Sequence, residues 1–192
     1  MRPFVHQARA HGQHPEKFAA YAEGQSPQAL FITCSDSRVV PALITGAGPG
    51  QLFELRTAGN IVPPYAPERP AGEVATIEYA VAVLGVAHVV VCGHSHCGAV
   101  GALVRGDDLG AVPAVREWLR HATARPSGEA GDPSLAAPVQ DHVLTQVRRL
   151  RSYPCVAARL DAGELELHAW YYEVHTGAVL AHRPDSGAFE AL

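Results

Sequence analysis

The chain has 192 residues, 47% hydrophobic and 18% charged, with a formal net charge of −4. That length allows one domain with a real core, and the composition is that of a globular chain, not of a disordered or membrane-embedded one. A mildly acidic chain with no run of Lys or Arg has no electrostatic footprint for a phosphate backbone, so nucleic acid is not an expected partner.

No window reaches the roughly 18 uninterrupted apolar residues that a spanning helix needs, so no membrane is expected either. The start, Met1-Arg2-Pro3-Phe4-Val5-His6-Gln7, lacks the apolar stretch of a secretory signal, and the cytoplasm is the expected compartment. Residues 3–23 are polar and alanine-rich, with Phe4, Val5, Phe18 and Tyr21 as apolar anchors and Pro15 as an interruption. They predict two short helices in an N-terminal helical arm, residues 1–24, that packs on something else, such as a partner subunit.

Residues 29–34, Ala-Leu-Phe-Ile-Thr-Cys, form a continuous apolar run, the pattern of a strand buried on both faces. Gly46, Gly48, Pro49 and Gly50 punctuate a loop, and residues 51–56 then alternate as a second strand does. Val74, Ile77, Val81 and Leu84 recur at helical spacing and Gly85 stops the helix. Residues 88–92 predict a third, central strand, with Gly93 turning the chain toward His94 and Cys97, and residues 98–104 a glycine-tolerant helix packed on the sheet.

Residues 105–138 read as a peripheral insertion without chemistry: a helix around 112–121, then a Pro/Gly/Ser loop over 125–138. Val139, Val143, Val147 and Leu150 mark another amphipathic helix, 154–160 a short one, and 165–174 a long strand that turns at Thr176-Gly177 into a last strand over 178–182. Strands alternating with helices predict an α/β fold over 1–192 as a single domain: a mainly parallel central sheet flanked by helices, with an antiparallel C-terminal edge strand.

In such a sheet, binding groups gather beyond the carboxyl ends of the strands. Cys34 closes the first strand, and His94 and Cys97 follow the third. Two thiolates and an imidazole suit zinc, and three ligands leave a fourth position open for chemistry. A local knot of Cys92, His94, His96 and Cys97 is the alternative, cramped because neighbouring strand residues point to opposite faces. Cys92 and Cys155 are otherwise buried thiols, and His96 a residue beside the site or at its mouth.

Zinc with two thiolates is formally neutral and acidifies a bound water less than zinc on imidazoles alone, so help is needed nearby. Asp36 can accept a hydrogen bond from that water, and Arg38 can hold Asp36 in a forked, charge-assisted pair. The rival reading, Cys34 as a nucleophile with Arg38 clamping a phosphate, places Asp36 where it repels the anion.

Cys34-Ser35-Asp36-Ser37-Arg38, Pro49-Gly50, Arg56, Ala58-Gly59-Asn60, Glu78-Tyr79-Ala80, Gly93-His94-Ser95-His96-Cys97-Gly98 and Trp170-Tyr171-Tyr172 together resemble the β-class carbonic anhydrases, over about residues 20–180. The resemblance implies a lyase for the reversible hydration of carbon dioxide to bicarbonate and a proton, by attack of zinc-bound hydroxide on CO2. It implies one Zn2+ per chain on Cys34, His94 and Cys97, with Asp36 and Arg38 as the catalytic dyad. It also implies a substrate pocket of the plant-like subtype, with Gln25, Phe53, Tyr79 and the Gly98 amide, and a homodimer or tetramer whose pockets lie at the dimer interface.

The family's other subtype, in which the Asp ligates zinc, carries a Trp where Phe31 stands, so an open site is expected. Thr57 departs from the Asn often found after the equivalent of Arg56. Carbonyl sulfide and carbon disulfide, linear like CO2, are alternative substrates for such a site. A non-catalytic zinc protein would instead need a fourth ligand such as Cys92 or His96.

Overall fold

The structure is a computed structural model and describes residues 2–12, 15–122 and 134–192. Its strands are β1 (Ala29–Cys34), β2 (Leu52–Thr57), β3 (His88–His94), β4 (Glu166–Tyr172), β5 (Val179–Arg183) and β6 (Ala188–Ala191). They form one sheet in the order β2-β1-β3-β4-β5-β6. The first four are parallel to one another, and β5 and β6 close the edge antiparallel. The mainly parallel α/β sheet expected from the alternation of elements therefore forms, with one more edge strand than the sequence signals. Phe189 is the single large apolar residue of β6, too little for a strand pattern.

The helices are α1 (Arg2–His11), α2 (Pro41–Thr45), α3 (Gly72–Glu78), α4 (Gly98–Arg105), α5 (Pro113–Leu119), α6 (Ala136–Leu150) and α7 (Pro154–Asp161). The first arm helix forms as α1, and the second is two 3₁₀ turns, Pro15–Lys17 and Ala19–Glu23. The expected loop over 125–138 lies mostly outside the described residues, and its last part is helical, since α6 begins at Ala136. α3 continues as a π turn through Val83, and the chain reverses at Gly85 with φ 67°.

Every residue of β1 is buried, which explains its unbroken apolar run. Leu30 and Ile32 join Val89 and Val91 of β3 in the main core, under Ile77 of α3, Val139 and Val143 of α6 and Val156 of α7. On the other face Phe31, Val90 and Cys92 form a smaller cluster with Trp170 and Tyr172, and Phe31 meets Trp170 edge-on at 5.9 Å.

One local expectation is corrected. Gly93 is not a turn residue: it pairs with Tyr171 inside β3, and the strand runs through His94. Its glycine is demanded by packing, because a Cβ there would meet Val139 Cγ1 and Val143 Cγ2 of α6, each at 2.6 Å. The turn comes three residues later, at His96, whose φ of 56° lies in the left-handed region.

Candidate metal centre

β1 and β3 are adjacent and parallel, so Cys34 and His94 both leave the sheet at its carboxyl edge. Cys97 caps the start of α4. The ligand atoms of these three buried residues all lie within 4.8 Å of one another. His94 Nδ1 is 2.9 Å from the Ser95 carbonyl, an acceptor, so the proton belongs on Nδ1 and Nε2 presents its lone pair. That Nε2 is buried with no hydrogen-bond partner among the described residues. A bare imidazole nitrogen facing two sulfurs, with its ring fixed from behind by a carbonyl, fits zinc.

The sulfurs of Cys34 and Cys97 lie within hydrogen-bond reach of each other. A hydrogen bond from Cys97 pulls Cys34 down from 9.0 to about 4, with the Gly59 N–H helping against burial. Cys97 is pushed up by donating that bond and by burial. A metal ion held here would need both sulfurs as thiolates and would displace that proton.

Asp36 stands beside them. Its Oδ1 accepts the Arg38 backbone N–H and Nε, both at 2.9 Å, and its Oδ2 accepts Nη2 at 2.7 Å. This guanidinium holds the carboxyl well below the usual carboxylate range. Oδ2 is 3.9 Å from His94 Nε2, and Asp36 falls outside the three-ligand group. Arg38 Nη2 also donates to the His96 carbonyl at 3.3 Å, tying the first motif to the second.

Sequence reasoning missed the groups that hold this edge from behind. Arg56 donates to the carbonyls of Cys34, Asp36 and Val39 at 2.7–3.2 Å, bracketing the whole Cys34–Val39 turn. Gly59 N–H donates to Cys34 Sγ at 3.4 Å. Gly59 has φ 75° and an added Cβ would lie 2.9 Å from Ala99 Cβ, so its glycine is required twice over. One face of α6 then holds the segment after β2: His142 Nε2–H donates to the Gly59 carbonyl at 2.8 Å and Gln146 Oε1 accepts the Val62 N–H at 3.0 Å. Arg149 donates to the Val62 carbonyl at 2.8 Å, and Tyr153 OH, at the start of α7, to the Pro63 carbonyl at 2.7 Å. Arg56 and Gly59 belong to the motif blocks, but nothing in their spacing says that one reaches backbone carbonyls and the other the Cys34 sulfur.

The remaining expected residues divide. Phe53 and Tyr79 come together, ring centroids 6.0 Å apart. Gly98 is the first residue of α4, and a Cβ there would meet nothing within 4 Å, so what it offers is its backbone N–H. Gln25 is exposed on its own chain, with no hydrogen bond among the described residues. Cys92 packs in the cluster on the opposite face, its thiol pushed up to about 12 by burial, away from the knot that the local alternative requires. Cys155 packs against the main core. The ring of His96 lies on His175 at 5.9 Å, and its carbonyl, not its ring, serves the site.

A parallel α/β sheet whose adjacent strand ends gather a Cys/His/Cys donor set beside a clamped carboxylate defines a protein with a metal-binding centre at the switch between strands. A sequence model of the carbonic anhydrase family matches residues 29–179. A carbonic anhydrase of Pseudomonas aeruginosa is 47% identical over 97% of this chain and 87% of its own length. One of Synechococcus elongatus is 47% identical over 87% of this chain, which spans only 64% of that relative. Among solved structures, the β-carbonic anhydrase CcaA superposes with a TM-score of 0.91 at 38% identity, covering 100% of this chain and 98% of that one. A tetrameric β-carbonic anhydrase of Sordaria macrospora gives 0.75 at 30% identity, covering 94% and 92%. The chain belongs to the β-class carbonic anhydrases, a family of lyases.

Proposed function

We propose that this chain catalyses the reversible hydration of carbon dioxide to bicarbonate and a proton at a zinc centre. One observation carries the reading: His94 Nε2 is a buried lone-pair donor with two cysteine sulfurs as neighbours and no protein partner among the described residues. Cys34, His94 and Cys97 would hold one zinc ion per chain, and the bound ion would supply the Lewis acidity that makes water nucleophilic near neutral pH.

The chain's own groups orient and select. Asp36, kept ionised by Arg38, accepts one hydrogen bond from the attacking water, so that a lone pair turns toward the carbon. Three of the N–H donors on Asp36 come from Arg38, which supports an open site of the plant-like subtype with Asp36 off the metal. CO2 is small and uncharged, and apolar walls from Phe53 and Tyr79 with a few amide donors suffice to hold it. The Gly98 N–H, at a helix start where no intrahelical carbonyl precedes it, is one such donor.

Gln25 is the other, and because it is exposed on its own chain we assign it to a pocket completed when two copies associate. A homodimer or tetramer is supported by the exposed Phe4, Val5 and Tyr21 of the N-terminal arm. The four cysteines are free thiols, which suits a reducing compartment, and we assign the cytoplasm. Among the described residues no helix is long and apolar enough to cross a membrane.

The test is metal content measured together with CO2 hydration on the purified protein. One zinc per chain and hydration far above the buffer rate are expected. Absence of either overturns the reading.

A further inference from the structure

Among the described residues a second group of metal-capable side chains lies at the opposite end of the sheet: His88, Glu166 and His168. His88 opens β3 and pairs in register with Glu166, which opens β4, while Val90 pairs with His168. Side chains of paired residues share a face, as do residues two apart on one strand. All three therefore rise from one face, the face of Val90 and Trp170, at the amino edge of the strands. The six-residue step along β3 puts them about 20 Å from His94.

His88 Nδ1 and His168 Nε2 are 3.2 Å apart. Glu166 Oε2 is 3.8 Å from the first and 3.7 Å from the second. Donors about 2.05 Å from a tetrahedral ion stand about 3.3 Å from each other. The nitrogen pair already meets that spacing, and the carboxylate needs about half an ångström of movement, on a side chain that is 71% exposed. A cavity of about 370 Å³ lined by His88, His168, Trp170, Gln28 and Gln51 opens beside the rings and leaves room for water on the remaining positions.

Two imidazoles and a carboxylate select borderline transition-metal ions over calcium or magnesium, which prefer oxygen alone. We propose that His88, Glu166 and His168 form a second metal site, distinct from the Cys/His/Cys centre, for a divalent ion of the zinc type. With no thiolate and three solvent-reached donors, it binds more weakly than the first. Without the ion, one ring N–H donates to the other ring nitrogen across the same 3.2 Å; binding needs both lone pairs, so the donating ring gives that proton to solvent and takes one up on its own far nitrogen, a change of tautomer.

The two sites share no residue, so their tests separate. The zinc-loaded enzyme, freed of loose metal by gel filtration, is titrated calorimetrically with Zn2+. One further ion per chain is expected. His88→Ala and His168→Ala should each abolish this uptake while retaining the first ion, which also reports that the variants are folded. Glu166→Gln should weaken it by more than the roughly tenfold that losing an outer partner of a metal ligand costs. The second ion, introduced as Co2+, should show no thiolate charge-transfer band. No uptake beyond the first ion, or undiminished uptake in a His88→Ala/His168→Ala double variant, overturns the site and leaves the pair as hydrogen-bonded histidines only.

Discussion

Asp36 receives three N–H donors from a single residue two positions along, and the same guanidinium reaches on to the His96 carbonyl. The carboxylate is thereby fixed in position and in charge by the protein itself. Asp36→Asn should keep zinc at the wild-type level and lower CO2 hydration by about 10²–10⁴-fold, the range for a positioned acid–base group, as read by stopped-flow turnover beside metal analysis; unchanged turnover would remove the dyad from the mechanism. Cys34→Ser should lose zinc and activity together, since the buried pair then has one sulfur to offer. At this scale the sequence is informative where chemistry is contiguous: Cys34, Asp36 and Arg38 share five residues, and His94 and Cys97 share four. It is silent on what Arg56, Gly59 and His142 reach, since their partners, two backbone carbonyls and the Cys34 sulfur, lie 17 to 83 residues away and leave no local pattern.

Helix α6 is the element that joins core to centre. Its apolar face presses on β3 so closely that Gly93 has no room for a methyl group, and its polar residues hold the segment after β2. Gly93→Ala should cost about 1–3 kcal/mol through overpacking, measured by denaturant unfolding, and should also disturb His94 one residue on. His142 adds a pH dependence. Burial holds its imidazole below the ordinary 6.5. The unfolded chain therefore takes up the proton first as pH falls, so the contribution of His142 to stability is complete above 6.5 and shrinks below it. His142→Gln keeps an N–H for the Gly59 carbonyl but cannot titrate, so its denaturation midpoint should vary less than the wild type between about pH 7 and 5.5. The strands β1 to β5 are legible because burial writes apolar runs or alternation into them. α2 is not, being five residues that start at Pro41 with Pro41 alone buried, and Gly93 misleads because a glycine that admits a helix looks like one that makes a turn.

At the scale of the molecule, the N-terminal arm remains open to association. Phe4 is 72% and Tyr21 48% exposed on the single chain, and light scattering should find a dimer or tetramer that loses affinity when residues 1–24 are deleted. Composition hints at this only through apolar anchors with no core of their own; what covers them depends on a second surface that no single sequence displays. The bracket that Arg56 makes around Cys34, Asp36 and Val39 has a further consequence for how the protein meets its metal. In zinc fingers the ion is the core, and chelation unfolds the chain. Here guanidinium, glycine amide and helix reach the donor segment with hydrogen bonds of their own, which predicts a site that persists when the ion is removed. A chelator should lower Tm, because a ligand specific to the folded state is removed, yet leave the far-ultraviolet circular dichroism of a folded apoprotein. Zinc added back should restore activity on mixing, with no slow refolding phase. The enzyme can thus be loaded after folding is complete, and its supply of metal and its folding become separate events.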